Sequence, residues 1–187
     1  AFDVREPQGE QEVLVALRQT EALAVGVLAI EIAVAREGPV AAPDLTAVAK
    51  ELGIRKGDIL QAQWVDNGPG WVAVMLADAD AVLALTPRTV THDIGVVGFH
   101  PPGHPELYEV RAFFPKDGLA VEDPVTGSLN ASLAQWLIGS GRVQAPYVAA
   151  QGTALGRRGR VRIDTDDEGR VWVGGDTVTC ISGSVEL

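Results

Sequence analysis

Cysteine and basic residues are scarce in this 187-residue chain, and long apolar runs are missing. Cys180 is the only cysteine, so the chain can form neither an internal disulfide nor a multi-cysteine metal site. Lys and Arg number 15 against 25 Asp and Glu, and the resulting charge of −10 argues against a nucleic-acid partner. The longest apolar run, residues 22–30, is far shorter than the roughly 20 residues of a membrane span. We therefore expect a cytoplasmic protein with no nucleic-acid or membrane partner.

The remaining composition is that of a folded protein. Hydrophobic residues make up 47% of the chain and charged residues 21%, which is typical of globular proteins. A chain of this length buries roughly 70% of its unfolded surface. The sequence therefore predicts one large domain or one and a half ordinary ones.

The first 43 residues differ from the rest of the chain in their sequence pattern. Residues 13–35 are apolar and often β-branched, which favours two strands joined at residues 19–21, although one long helix is an alternative. Gly38, Pro39 and Pro43 then mark a break and a candidate boundary.

Downstream of this break, turn residues and apolar periodicity predict strands with two short helices. Asp44 can cap a helix that Gly53 closes, and Asp78 can cap a second helix ending near Leu85. The predicted strands cover 59–65, 71–76, 94–99, 108–114, 147–151, 160–165, 170–173 and 177–181.

A longer helix is predicted over 128–138, and its apolar residues do not fall on one face. A helix that is hydrophobic all round must be buried all round. Its length, roughly 16 Å, is close to that of a five-residue strand. The sequence therefore predicts an α+β fold in which a mostly antiparallel, barrel-like sheet curls around one buried central helix.

The ligand-binding and catalytic residues are expected in the loop that leads into this helix. Unpaired N–H groups of Gly127, Ser128 and Leu129 form a site for an anion such as a substrate carboxylate. A hydroxyl from Thr126 or Ser128 can add to it, and Asp123 can accept a hydrogen bond from an amine or hydroxyl of the same ligand. The alternative is that Thr126 or Ser128 is a plain helix cap and that Asp123 only favours the helix dipole.

Other reactive residues give weaker signals. His92, His100 and His104 are irregularly spaced and lie near prolines, so we expect no metal site. Cys180 lies in an apolar strand and is expected to be a small core residue.

Several segments resemble the phenazine-biosynthesis PhzF-like family. The Glu122–Ala131 run, EDPVTGSLNA, resembles that family's EDPATGS-type signature, and the segment WVDNGPGW at 64–71 resembles its middle hairpin. Further similar segments are RAFFP at 111–115, Gln151-Gly152 with Gly156-Arg157, and VGG at 173–175. The resemblance extends from about residue 39 to the C-terminus and is much weaker before it.

This resemblance implies a diaminopimelate-epimerase-like fold of two halves with the active site between them. Similar proteins are isomerases that use neither a metal nor an organic cofactor, and the resemblance also suggests a homodimer. The family's acid/base Glu belongs to its N-terminal half, whereas the C-terminal half supplies residues that correspond here to Asp123, Gly127 and Ser128. Asp123 is the expected catalytic residue, and Asp123, Thr126, Gly127 and Ser128 are the expected substrate-binding residues. Glu122 matches the motif but is expected to make no ligand contact.

No segment of residues 1–38 resembles the family's strand with the catalytic Glu. We therefore expect residues 1–43 to be the remaining strands of an N-terminal half and 44–187 to be a C-terminal half. On this expectation the chain is a fragment, or a natural half that pairs with another chain. Three functions stay open: a proton-moving isomerase of a small carboxylated substrate, a non-catalytic carboxylate-binding or dimerisation module, and a carboxylate-based epimerase or racemase.

Overall fold

A computed structural model describes residues 36–176 of the chain. The predicted strands within 13–35 and at 177–181, and Cys180, lie outside these residues. In the described part no helix is long and apolar enough to cross a membrane.

Nine strands and three α-helices make up the described part. The strands are β1 (Arg36–Pro39), β2 (Gln61–Asp66), β3 (Trp71–Met75), β4 (Asp93–Phe99), β5 (Tyr108–Lys116), β6 (Leu119–Asp123), β7 (Tyr147–Gln151), β8 (Gly159–Thr165) and β9 (Val171–Gly174). The helices are α1 (Ala42–Leu52), α2 (Ala79–Leu83) and α3 (Gly127–Gly139), and two short 3-10 helices lie at Lys56–Asp58 and Thr153–Leu155.

All nine strands belong to one mixed sheet. The strand order is β1-β2-β3-β4-β5-β7-β8-β9, and β6 also pairs with β5. The β3–β4 and β5–β7 pairs are parallel, and the other pairs are antiparallel. The β3–β4 connection contains α2, as a parallel pair needs a crossover.

The α+β class predicted from the sequence is confirmed, but the barrel-like closure is wrong. Within residues 36–176 the sheet is open, because β1 and β9 lie at opposite ends of the strand order and do not pair. Closure depends on pairing between strands distant in sequence, which local patterns do not encode.

Two local predictions also need correction. Residues 119–123 form β6 and not a loop, and the Asp117–Gly118 turn before it has both φ angles positive, at 52° and 78°. This Asp-Gly pair is a strong hairpin signal that the sequence analysis missed. Asp44 lies in the first turn of α1 but does not cap it, since the N-cap position is Ala41.

The other helix boundaries follow their sequence signals. Gly53 ends α1 in the left-handed conformation, with φ at 71°. Asp78 caps α2, because its Oδ1 accepts the N–H of Ala81 at 2.8 Å.

The predicted break at Gly38 and Pro39 lies within β1, which pairs with β2. The domain division at residue 43 stays a prediction.

Apolar side chains form a separate core on each face of the sheet. One core packs α3 against residues of β2, β3, β4, β5, β7, β8 and β9. The other core packs α1 and α2 against the opposite face of β3, β4 and β5. Eight residues of α3 are buried, including Asn130 and Ser132.

A glycine brings α3 close to the sheet. A Cβ on Gly95 in β4 would lie 2.3 Å from Cδ1 of Leu129, which is buried in the first turns of α3. The absent side chain therefore lets the start of α3 sit directly on β4.

Candidate active site

The candidate site lies where the sheet forks at β5. Val110 of β5 pairs with Gln151 at the end of β7, and Ala112 pairs with Asp123 at the end of β6. Because β7 runs parallel to β5 and β6 runs antiparallel to it, the two strands end facing each other. The fork therefore brings Asp123 and Gln151 together, although 27 residues separate them in the sequence.

Gln151 holds the two sides of the fork together. Its side chain is fully buried, and its Oε1 accepts hydrogen bonds from the Thr126 N–H at 3.0 Å and from Asn130 Nδ2 at 2.7 Å. Its Nε2 donates to the Asp123 carbonyl oxygen at 2.9 Å and to Thr126 Oγ1 at 3.0 Å. All four hydrogen-bonding positions of the amide are therefore used.

This network orients the carboxylate of Asp123. Since Thr126 Oγ1 accepts a hydrogen bond from Gln151, its own proton is free to point at Asp123 Oδ2, which lies 2.6 Å away. Thr126 occupies the N-cap position of α3, but its hydroxyl makes no cap hydrogen bond. Within residues 36–176 Asp123 Oδ1 has no bonded partner, so this oxygen is left for a ligand.

The first turn of α3 presents free N–H groups beside this carboxylate. No acceptor in the described part of the chain is bonded to the backbone N–H of Gly127 or Ser128. Such groups, together with the helix dipole, favour an anion. The turn after β2 braces this end of the helix, because Asn67 Nδ2 donates to the Ser128 carbonyl oxygen at 2.8 Å and Trp71 Nε1 to Ser128 Oγ at 3.2 Å.

An open depression of about 370 Å³ lies next to these groups. Its walls are formed by Pro69, Trp71, Asp93, Phe114 and Asp123. Of the residues expected from the sequence, Asp123 lines the depression, whereas Thr126 is buried and does not line it. Gly127 and Ser128 are not part of its wall, although Ser128 Oγ accepts a hydrogen bond from Trp71, which is.

Asp93 is a second carboxylate in the depression that sequence reasoning missed. It is the first residue of β4, and burial raises its pKa against the opposing effect of the neighbouring charge of His92. Its parallel pairing with Trp71 joins strands separated by a crossover, so no local pattern places the two side by side. The only sequence signal is an acidic residue at the start of an apolar strand.

Glu122, the neighbour of Asp123, has a structural contact. Its two carboxylate oxygens accept hydrogen bonds from Arg111 Nε at 2.9 Å and from a terminal guanidinium nitrogen at 2.6 Å. Arg111 also donates to carbonyl oxygens at the end of α2, including that of Leu85 at 2.6 Å. Neighbouring residues of a strand face opposite sides, so Glu122 stabilises the sheet on the side away from the depression.

The histidines lie beside carboxylates and do not line the depression. His92 Nδ1 is 3.2 Å from Glu51 Oε2, and the rings of His100 and His104 stack with centroids 3.9 Å apart. Within residues 36–176 no group of three or more His, Cys, Asp or Glu residues has the arrangement of a metal site.

Comparison with known proteins gives consistent matches over most of the chain. The sequence model of a family described as phenazine biosynthesis-like protein matches residues 5–183. An uncharacterised isomerase of Pasteurella multocida is 26% identical over 140 residues, which cover 72% of this chain and 47% of that protein. An uncharacterised isomerase of Salmonella typhimurium is 30% identical over 144 residues, covering 68% and 48%. The chain thus spans about half the length of the curated relatives it matches.

Solved structures of low identity share the fold. A PhzF-family phenazine biosynthesis protein of Bacillus anthracis superposes with a TM-score of 0.65 at 15% identity, covering 86% of this chain and 60% of that one. A predicted epimerase of Pseudomonas aeruginosa gives a TM-score of 0.61 at 20% identity, covering 82% and 57%. A PhzF-family protein of Enterococcus faecalis gives 0.60 at 22% identity, covering 87% and 57%.

Proposed function

The chain belongs to the phenazine biosynthesis-like protein family, and from that premise we propose that it forms one wall of the active site of an isomerase. The reaction is the movement of a proton on a small carboxylated substrate that carries an amine or hydroxyl. The observation that carries the proposal is the position of Asp123, which lines the depression beside the start of α3 and whose Oδ1 is unengaged within residues 36–176. The relatives named as isomerases support the same reaction class.

The substrate carboxylate binds at the N–H groups of Gly127 and Ser128. A fixed anchor is necessary because a proton must leave and return at defined atoms of the substrate. Asp123 accepts a hydrogen bond from the amine or hydroxyl and assists the proton transfer. Its orientation is set in advance by Thr126 and Gln151, so no rearrangement is needed when the substrate binds.

The curling of the sheet around α3 belongs to the same proposal. Helix α3 contacts both β2 and β9, which lie near opposite ends of the strand order. One helix reaches both ends only if the sheet bends around it. In this arrangement the start of α3 opens towards the second half of the active site, where the family resemblance places the acid/base Glu.

The test is proton exchange in D₂O by the full-length protein. Small carboxylates with an α- or β-amine or hydroxyl are incubated with it, and NMR follows the loss of carbon-bound protons. We expect Asp123→Asn to lower the exchange rate by about 100-fold or more, the usual size of a general acid/base contribution. Asp167→Asn, which removes the same charge from an exposed turn, is the control and retains the rate. Equal rates for wild type and Asp123→Asn would refute the role of Asp123.

A carboxylate-based epimerase is the second candidate, because Asp93 and Asp123 line one depression. The same experiment distinguishes the two reactions. An epimerase introduces deuterium at the carbon that lost the proton and inverts it. An isomerase delivers the proton to a different carbon and changes the position of a double bond.

A further inference from the structure

The register of the sheet places Asp93 between two aromatic residues. In the β3–β4 pair Asp93 lies opposite Trp71. In the β4–β5 pair Ile94 lies opposite Phe113, so the next position along this antiparallel register sets Asp93 opposite Phe114. Trp71, Asp93 and Phe114 all line the depression, which places the Asp93 carboxylate between an aromatic side chain on either side.

Among residues 36–176 the charge of Asp93 is offset only by that of its neighbour His92. Within residues 36–176 its carboxylate makes no hydrogen bond or ion pair, and burial raises its pKa. Arg111 and Glu122, by contrast, are buried nearby in the sheet as a doubly hydrogen-bonded pair. The Asp93 carboxylate lines the depression and is therefore accessible to a hydrogen-bond donor of a bound ligand.

A ligand that bears a cation fits these surroundings. Asp123 Oδ1, in the same depression, is also unengaged in the described part of the chain, so two carboxylates are available to one donor group. Aromatic faces attract ammonium groups through their ring quadrupoles. The N–H groups of Gly127 and Ser128 supply the opposite polarity for a carboxylate of the same molecule.

We propose that Asp93 is a specificity-determining residue that accepts a hydrogen bond from the ammonium group of the substrate, together with Asp123 and between Trp71 and Phe114. This inference rests on the proposed function, since it takes the depression to be the substrate pocket. It adds the requirement that the substrate is zwitterionic. Its carboxylate binds at the start of α3, and its ammonium group binds Asp93 at the start of β4.

Three probes that share a phenyl ring separate the two requirements. Phenylalanine carries both charged groups, 3-phenylpropionate only the carboxylate, and 2-phenylethylammonium only the cation. Their binding to the full-length protein is followed by NMR shifts of the Gly127 and Ser128 amides and of the residues around Asp93. We expect phenylalanine to bind about 10-fold more tightly than 3-phenylpropionate, the size of one hydrogen bond to a charged group.

Asp93→Asn keeps the shape of the side chain and removes its charge. We expect it to reduce the preference for phenylalanine to about 2-fold or less while 3-phenylpropionate binds as well as before. Asp167→Asn controls for the change in net charge and retains the preference. Asp93→Ala repeats the measurement if Asp93→Asn fails to fold.

The results separate the two proposals. If 3-phenylpropionate shifts Gly127 and Ser128 but wild type shows no preference for phenylalanine, or Asp93→Asn keeps that preference, the role of Asp93 is refuted and the carboxylate anchor stands. If neither carboxylate probe shifts these amides, the anchor itself is refuted, and the role of Asp93 falls with it.

Discussion

At the scale of single residues, the site depends on which partner each polar atom takes. Thr126 stands at a helix N-cap, where its hydroxyl would ordinarily bond to the helix backbone. Gln151 accepts the N–H of Thr126 and donates to the Thr126 hydroxyl oxygen. This hydroxyl therefore donates its own proton to Asp123. The sequence motif indicated Asp123 and Thr126 as site residues. It could not indicate Gln151 as their support, because only the fork at β5 brings that residue near.

Tyr108 and Tyr147, the only two tyrosines of the chain, form a pair in which Tyr108 is fully buried and Tyr147 partly buried. Their hydroxyl oxygens lie 3.0 Å apart. Burial raises the pKa of Tyr147 to about 12, although its hydrogen bond with Tyr108 opposes this, and burial together with Tyr147 raises the pKa of Tyr108 well above 10.

We predict that the folded protein shows almost no tyrosinate absorbance at pH 10, where a free tyrosine is half ionised. The folded state favours the neutral phenols, so their contribution to stability is complete below pH 10. It is lost as the pH rises towards 12, because the unfolded chain releases these protons first. A spectrophotometric titration checks this, with the protein in denaturant as the reference. A midpoint near 10 in the folded protein would contradict the burial of the pair.

At the scale of elements, side chains and close backbone contacts fix α2 and β6 on the sheet. Strand β6 was not predicted from the sequence, because it ends in two charged residues, Glu122 and Asp123, and charged residues are more typical of loops. In the fold these carboxylates face opposite sides of the sheet, where Glu122 pairs with Arg111 and Asp123 lines the depression. Charged residues in a strand are explained only by their partners, and Arg111 lies 11 residues earlier.

We predict that Glu122→Gln destabilises the protein by about 3–5 kcal/mol, because it leaves the Arg111 charge buried without its partner. The side chains of Arg111 and Glu122 are only 7% and 9% exposed. Glu168→Gln is the matched control, since its pair with Arg170 is on the surface and is worth about 0–1 kcal/mol. Urea unfolding measures both, and equal losses would refute the importance of burial.

A second prediction concerns the contact between α2 and β4. A Cβ on Gly98 would lie 2.1 Å from the backbone oxygen of Asp78, the residue that caps α2. Backbone cannot move aside as easily as a side chain, so Gly98→Ala is expected to cost about 1–3 kcal/mol or more.

Gly139→Ala is the control for this change. No atom of the described part of the chain lies within 4 Å of its Cβ position at the end of α3. It is expected to be neutral or slightly stabilising, since alanine favours a helix more than glycine does. If Gly98→Ala unfolds at the same urea concentration as wild type, α2 is not held against β4 as described.

At the scale of the whole molecule, one sheet carries a core on each face. The α+β class was predictable, because turn residues and alternating apolar positions mark most strands locally. Closure of the sheet was not, because it depends on whether β1 and β9 meet, and these strands are more than 130 residues apart in the sequence. For the same reason the sequence did not indicate Asp93 as a site residue, because its neighbours Trp71 and Phe114 come from other strands.

We predict that the two cores unfold together, since β3, β4 and β5 belong to both. Leu137→Ala, in the core of α3, is expected to lower stability by about 2–5 kcal/mol. It should shift the urea midpoints of tryptophan fluorescence and far-UV circular dichroism equally. The free energy of opening, measured by hydrogen exchange at the β3 amides, should fall by the same amount. Two separate transitions would show that the faces are independent units.

On the proposed function, the residues that hold the helix at the β5 fork differ from those that select the ligand. Gln151, Asn130 and Thr126 are buried and use one another, so a change in any of them disturbs the scaffold. Asp93 and Pro69 line the depression, and within residues 36–176 the Asp93 carboxylate makes no hydrogen bond. If Asp93 selects the ligand as proposed, substitutions at Asp93 or Pro69 can change ligand preference while the buried network of Gln151, Asn130 and Thr126 stays intact.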